Sequence, residues 1–128
     1  MIPFLKVAEL LEALPEDQRL LVSNMRYEMV AGQLCGCALG ALMPEDRGPD
    51  DRWNISFTAD LHHPHSPICE LGRNVLGITS PEILEALVSW VEGTNDGYFW
   101  GDNSEEVCRE RYTHMCKALR RRAVREEV

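Results

Sequence analysis

The sequence predicts a mainly α-helical fold: a compact single domain over residues 1–128, with four to six short helices and at most one small β-hairpin. Three observations support this prediction. The 128 residues suit one domain, and 45% hydrophobic with 27% charged residues is typical of a globular chain. Apolar side chains recur mostly at helical spacing. The one run with no charge and no long polar side chain, residues 34–43, is too short to cross a bilayer, which takes about 20 residues, so it indicates a buried core element.

Helical spacing predicts two helices before the uncharged run. The first covers about residues 3–14, where apolar residues follow one another at intervals of three and four. Pro15 ends that helix and begins the second, which Gly32 terminates. The buried face of the second helix is marked by residues four apart: Leu21, Met25 and Met29.

The uncharged run, Leu34 to Met43, is predicted to be a short helix buried on all sides. Gly36 and Gly40 lie four residues apart, so they would share one face of that helix. Each glycine inside a helix costs about 1 kcal/mol relative to alanine, so we expect the bare backbone to let another element approach closely. A buried strand is the alternative, because periodicity cannot separate the two in so short a run.

The middle of the chain is predicted to be mostly loop. Residues 44–52 combine proline, glycine and four carboxylates, which indicates an exposed loop. Over residues 53–58, apolar and polar side chains alternate, as is typical of a short strand. A second loop, residues 59–67, carries three histidines and two prolines.

Three further helices are predicted in the second half. A short one covers Ile68 to Leu76. The next begins at Ser80, a good N-cap residue followed by proline and glutamate, and ends at Gly93. The last begins near Asn103, and residues 120–128 are expected to fray because the apolar pattern fades there. The buried face of this last helix is marked by Cys108, Tyr112, Met115 and Leu119.

The net charge of −8 is unevenly distributed along the chain. Residues 1–108 hold 18 acidic and 6 basic residues, a net charge of −12. Residues 109–128 hold 3 acidic and 7 basic residues, a net charge of +4. An acidic body repels nucleic acid and favours partners with a basic surface, although charge for solubility alone is the simpler alternative.

A histidine loop and five cysteines contain the residue types that bind zinc or act as nucleophiles. His62, His63, His65 and Cys69 are the candidate metal ligands, but their spacing matches no familiar zinc motif, so no metal and no cofactor is expected. Without a secretory signal, an odd number of cysteines indicates reduced, buried thiols in a cytoplasmic protein. Because no catalytic constellation is recognisable, we do not expect an enzyme.

Two segments resemble a loose group of small phage and prophage proteins. Leu-Leu-Glu-Ala-Leu-Pro at residues 10–15 is followed by Cys-Gly-Cys-Ala-Leu-Gly-Ala-Leu at residues 35–42, which is similar to the C-G-x-A-x-G type run of that group. The pair Asn95-Asp96 before a closing helix is similar in layout. The resemblance covers about half of the chain and carries no assigned activity. It implies a phage or mobile-element product that interacts with host components.

These observations predict a non-enzymatic acidic binding protein, a phage-encoded inhibitor of a host defence system such as CRISPR, located in the host cytoplasm. Its partner would be a host protein whose basic, nucleic-acid-binding surface it occupies, with no direct contact to nucleic acid or membrane. The alternative is a small metal- or ligand-binding protein that uses the histidine loop. The candidate partner contacts are Glu45, Asp46, Asp50, Asp51, Trp53 and Trp100.

Overall fold

Helices dominate a computed structural model of the chain, in which residues 3–24, 27–43 and 57–127 are described. The α-helices are α1 (Pro3–Glu12), α2 (Pro67–Glu70), α3 (Pro81–Gly97) and α4 (Glu105–Glu127). One antiparallel hairpin is formed by β1 (Tyr27–Val30) and β2 (Gln33–Gly36). Single 3₁₀ turns lie at Glu16–Gln18 and Gly40–Leu42, a longer 3₁₀ segment lies at Phe57–His62, and a π-helical turn, Leu71–Val75, continues α2. The predicted mainly α-helical fold with one small hairpin is confirmed.

Helices α1 and α4 pack together and close the main hydrophobic core. Leu11 is fully buried in α1, and its carbonyl oxygen accepts a hydrogen bond from the Tyr112 hydroxyl of α4 at 3.0 Å. Near the end of the pair, Arg120 donates two hydrogen bonds to the Glu12 carboxylate, at 2.9 and 2.5 Å. Ala123 is still buried, and α4 remains helical to Glu127. The apolar contact between the two helices therefore continues beyond Arg120.

The predicted second helix is wrong, because most of its described part forms the hairpin and the segment leading to it. Only Glu16–Gln18 makes a helical turn. Ala31 and Gly32, at φ of 52° and 81°, form a two-residue connection that pairs Val30 with Gln33. Positive φ at both central residues is typical of the hairpin turn that matches strand twist. The four-residue spacing that suggested a helix is overridden by pairing between the strands.

The uncharged run is buried as predicted, but it is not a helix. It enters as β2, which ends at Gly36, and then makes the 3₁₀ turn Gly40–Leu42. A Cβ atom added at Gly36 would lie 2.6 Å from the backbone nitrogen of Ala41 and 2.7 Å from the carbonyl carbon of Gly40. The close approach expected at this glycine is therefore real, and it is made by the run folding back on itself.

The later predictions agree with the structure in element type more than in boundaries. Of the predicted strand 53–58, residues 53–56 lie outside the described residues and Phe57 begins a 3₁₀ turn instead. That turn also occupies the first part of the predicted loop 59–67. The helix predicted from Ile68 is formed by α2 and its π-helical continuation. The Ser80 side chain caps α3 by accepting from the Ile83 N–H at 3.3 Å, and α3 continues to Gly97 rather than ending at Gly93.

No helix in the described ranges is long and apolar enough to cross a membrane.

Candidate functional site

The connection between α3 and α4 presents two large aromatic side chains to solvent. We call residues 98–101, Tyr-Phe-Trp-Gly, the aromatic loop. Trp100 is 67% exposed and Phe99 is 60% exposed, which is unusual for side chains of this size. Tyr98 packs edge to face with Phe99, at 4.9 Å between ring centroids, and stacks on His114 of α4 at 4.6 Å. The loop therefore has one aromatic ring fixed against the helix and two that project outward.

Arg111, a fully buried residue of α4, holds the backbone of the aromatic loop. A guanidinium group has five N–H donors in a rigid planar arrangement, so it can fix several acceptors at once. Here it donates to the backbone carbonyls of four residues and to two side chains: Tyr98 (2.7 and 3.1 Å), Phe99 (3.1 Å), Asp102 (2.8 Å), Leu21 (2.7 Å), the Asn103 side-chain oxygen (3.2 Å) and the Cys108 sulfur (3.7 Å). These hydrogen bonds offset the free-energy cost of burying the guanidinium charge.

A second set of hydrogen bonds ties the same loop to Ser23, a buried residue ahead of the hairpin. The Ser23 N–H donates to the Asn103 side-chain oxygen at 2.7 Å, and the Asn103 amide group donates back to the Ser23 carbonyl at 3.1 Å. The Ser23 hydroxyl accepts from the Gly101 N–H at 3.2 Å and donates to the Asp96 carbonyl at 3.0 Å. Both ends of the aromatic loop are thus fixed to one residue.

Asn95, fully buried near the end of α3, connects this network to the uncharged run. Its amide group donates to the Val22 carbonyl at 2.8 Å, and its side-chain oxygen accepts from the Ala38 N–H at 3.2 Å. Since buried amides are costly unless paired, these bonds fix the end of α3 relative to two distant segments.

The aromatic loop stores backbone strain. Phe99 has a φ of +49°, a left-handed conformation that costs about 1–2 kcal/mol for a residue with a side chain. Its neighbour Gly101 has a φ of +77°, which glycine adopts freely. Such strain persists only where surrounding contacts enforce it, and here the bond from Arg111 to the Phe99 carbonyl is one of them. The network therefore holds the outward rings in one geometry.

Carboxylates surround the aromatic loop. Residues 92–106 contain five acidic side chains and no lysine, arginine or histidine. Asp102, Glu105 and Glu106 are exposed beside the loop. The backbone N–H of Ser104 donates to the Asp102 carboxylate at 3.0 Å, and this hydrogen bond lowers the pKa of that carboxyl group. The surroundings of Trp100 are therefore negatively charged at neutral pH.

The structure places one of the six predicted partner contacts. Trp100 lies exposed in the aromatic loop, as a contact residue requires. The other five fall within residues 44–56, outside the described residues: Glu45, Asp46, Asp50, Asp51 and Trp53. Their role as partner contacts stays a prediction.

The histidine loop is exposed, whereas the nearby cysteine is not. His62, His63 and His65 face solvent. The Cys69 thiol is buried and points toward the carbonyl oxygens of Asp60 and Leu61, at 4.0 and 3.8 Å. Within the described parts of the chain, no three His, Cys, Asp or Glu side chains come together in a group that could hold a metal ion.

All five cysteines are buried thiols, and none of them forms a disulfide. Burial raises the pKa of the Cys37 thiol to about 12. Burial also raises the pKa of Cys108 to about 11, although the Arg111 guanidinium lies 3.7 Å from its sulfur. Because the thiolate is the nucleophile, neither thiol is activated for catalysis at neutral pH.

Sequence reasoning identified the aromatic residues but missed Arg111. A signal for it was present in the predicted buried face of the last helix. Arg111 lies three residues after Cys108 and four before Met115, so helical spacing places it on the same face. A charged residue at such a position has to be paired, which marks it as a structural or functional group.

Comparisons with protein-family models, with curated proteins and with solved structures each find no match for this chain.

Proposed function

We propose that this protein is a non-enzymatic binding protein that contacts its partner through the aromatic loop and the carboxylates around it. The observation that carries this proposal is the exposure of Phe99 and Trp100 on a strained loop that a buried arginine holds in place. Strain and burial of a charge both cost free energy, and a fold that needed only a connection between two helices would have no use for them.

The geometry suits binding because the loop is ordered in advance. Association costs free energy for every side chain or loop that must be immobilised, so a loop already fixed by Arg111 and Ser23 loses less. Tryptophan is enriched among the residues that dominate binding energies, particularly where polar groups surround it. Trp100 would be the main apolar anchor, with Phe99 beside it and carboxylates at the rim.

The partner we propose is a host protein with a basic surface that normally binds nucleic acid. Carboxylates of this protein would take the places of phosphates on lysine and arginine side chains, so affinity should fall as salt rises. A phage-encoded inhibitor of a host defence system such as CRISPR, acting in the host cytoplasm, would work in this way. Glu45, Asp46, Asp50, Asp51 and Trp53 are kept as further candidate contacts with the same partner.

The experiment is affinity capture from host lysate followed by mass spectrometry, with three forms of the protein. The wild type should capture a basic protein that Trp100→Ala captures at least about tenfold less, since anchors of this kind contribute roughly 2 kcal/mol or more. Ile83→Ala is the matched control, because Ile83 is a comparably exposed apolar residue at 54% on the first turn of α3.

Competition distinguishes specific binding to the proposed partner from nonspecific adsorption to the exposed aromatic rings. Added nucleic acid should displace the captured protein, and the purified pair should bind more weakly at high salt. Equal capture by the wild type and Trp100→Ala would show that the aromatic loop is not the contact. Capture that nucleic acid does not reduce would exclude a nucleic-acid-binding surface on the partner.

A further inference from the structure

The exposed face of α4 carries a continuous line of side chains that begins beside the aromatic loop and extends to the basic end of the helix. Its members are separated by four, three, four, four and three residues, so they lie on one face of the helix. All of them are exposed. We call this set the α4 stripe: Glu106, Glu110, Thr113, Lys117, Arg121 and Val124.

The charges of the α4 stripe reverse about its middle. Glu110 and Lys117 lie at equal distances on either side of the point between Thr113 and His114. Glu106 and Arg121 lie at equal, larger distances from the same point. Burial and the nearby Arg121 lower the pKa of His114, so this imidazole is neutral at pH 7 and leaves the midpoint uncharged. The stripe is therefore acidic in its first half and basic in its second.

Within one molecule this arrangement is unfavourable. Glu106 and Glu110 are like charges four residues apart, and so are Lys117 and Arg121. Each such pair destabilises a helix by a few tenths of a kcal/mol. The helix dipole favours acidic residues in the first turn and basic residues in the last, but its effect falls off within one turn. It therefore does not account for charges as far inside the helix as Glu110 and Lys117.

The ion pairs that α4 makes within its own chain lie off the stripe. Arg109 pairs with Glu105 at 3.6 Å, and Arg120 pairs with Glu12 of α1. On the stripe, Glu110 accepts a hydrogen bond from the Tyr98 hydroxyl at 3.4 Å, which holds this carboxylate in position. The structure as described gives Lys117 and Arg121 no ion-pair partner. The basic residues of the tail thus divide into those used internally and those that face outward.

We propose that the α4 stripe is a self-association surface on which a second copy of this chain packs. In this arrangement the two α4 helices run antiparallel about a two-fold axis near Thr113. Glu110 then lies opposite Lys117 of the second copy and Glu106 opposite Arg121, and the symmetry makes each ion pair twice. The like-charge repulsion within each helix is relieved by the opposite charges of the other.

The reversal of charge identifies the partner as a second copy. A two-fold contact places the same patch of both molecules together, so that patch must be complementary to itself. The charges of an unrelated partner would need to complement the stripe, but nothing would require the stripe itself to be symmetric about its midpoint.

The charged pairs span about 22 Å of helix at 1.5 Å per residue. Beside them lies an open cleft of about 340 Å³ between α4 and Tyr98 that can receive side chains of the second copy. A contact so polar predicts a weak dimer that salt dissociates.

The test is sedimentation of the purified protein over a range of concentrations at low and high salt. The wild type should form dimers at low salt that dissociate at high salt. The double variants Glu106→Lys/Glu110→Lys and Lys117→Glu/Arg121→Glu should each dimerise about 100-fold or more weakly, because the stripe then carries one sign of charge throughout. An equimolar mixture of the two variants should restore a dimer, since an all-basic and an all-acidic stripe are complementary.

The matched control for the all-basic variant is Glu70→Lys/Glu85→Lys, which changes the net charge by the same amount at exposed positions on α2 and α3. It should dimerise like the wild type, and circular dichroism should show that every variant is folded. A wild type that stays monomeric at low salt would overturn the proposal, and this result depends on no variant. The proposal would also be overturned if the mixture of the two stripe variants failed to associate, or if the control variant lost the dimer as fully as the stripe variants do. None of these three results tests partner binding by Phe99 and Trp100, whose exposed rings are not part of the α4 stripe.

Discussion

Arg111 is the residue on which the geometry of the candidate site depends most directly. Replacing it with methionine keeps an unbranched side chain but leaves several carbonyls without their donor, among them the buried carbonyl of Leu21 and the part-buried carbonyls of Tyr98 and Asp102. Because unpaired buried polar groups cost about 1–3 kcal/mol each, we expect Arg111→Met to lower the free energy of unfolding by about 3 kcal/mol or more. Urea denaturation measures this loss. A change below about 0.5 kcal/mol, typical of a surface substitution, would contradict the role given to Arg111.

Phe99 offers a way to separate binding from stability at one position. Phe99→Gly and Phe99→Ala both remove the exposed ring, but only glycine relieves the positive φ. We therefore expect Phe99→Gly to be about 1 kcal/mol more stable than Phe99→Ala, while both bind the captured partner equally weakly. Thermal or urea denaturation gives the first comparison and binding measurements give the second. Equal stability of the two variants would indicate that the backbone at residue 99 is not strained.

At the scale of the elements, two glycines predict opposite effects of the same substitution. At Gly36 an added Cβ would meet backbone atoms of Gly40 and Ala41 at 2.7 Å or less, so Gly36→Ala should destabilise the protein by about 3 kcal/mol. At Gly93, inside α3, no atom lies within 4 Å of the added Cβ, and alanine favours a helix by about 1 kcal/mol. Gly93→Ala should therefore raise the midpoint of urea denaturation. A Gly36→Ala variant as stable as the wild type would contradict the close backbone approach at Gly36.

The ion pair between α1 and α4 predicts a pH dependence. The Arg120 side chain donates to Glu12 and lowers the pKa of that carboxyl group below its ordinary value of 4.5. Because the pKa is lower in the folded state, the pair contributes its full stability at pH values above the unfolded-state pKa. This contribution is lost as pH falls through the folded-state pKa. Glu12→Gln should therefore lower the Tm at pH 7, and this effect should shrink as pH falls below 4.5 and through the lowered folded-state pKa. Glu85→Gln, at an exposed position on α3, serves as the control and should change the Tm little at either pH.

The sequence predicted helices wherever local signals agreed with packing. Helix α3 has its N-cap at Ser80 and its apolar spacing in register, so both its type and its start were predictable. The hairpin was not, because its turn contains Ala31 at positive φ, where alanine gives no turn signal. Burial of the uncharged run was predictable from composition. Its division into a strand and a turn depends on contacts with Val22 and Asn95, which no local pattern reveals.

The candidate site could be predicted only in part, for a similar reason. Exposed aromatic residues in a turn-rich segment are visible in the sequence, and Trp100 was predicted as a contact. The network behind them is not visible, because it joins Ser23 with Asn103, residues 80 positions apart. Spacing along a helix places Arg111 on the buried face, but only the folded chain shows which carbonyls it contacts.

At the scale of the whole molecule, acidic and basic side chains are separated along helix α4. The N-terminal part of α4 shares the acidic surroundings of the aromatic loop, and its C-terminal part carries the basic residues that face outward. A partner with a basic surface would therefore approach the aromatic loop from one direction in preference to the other. Electrostatic attraction of this kind increases association rates and orients the encounter.

The hydrogen bond from Arg111 to the Leu21 carbonyl spans 90 positions of the chain, and it has a consequence for how the aromatic loop can be used. A loop whose shape is imposed from so far away is a conformational epitope, which cannot be transplanted as a short segment. A synthetic peptide of residues 94–104, linear or cyclised, should fail to compete with the intact protein for its partner. Antibodies raised against that peptide should in turn recognise the unfolded chain better than the folded one. Grafting the surface onto another scaffold would require the buried arginine and the segment around Leu21 to be carried with it.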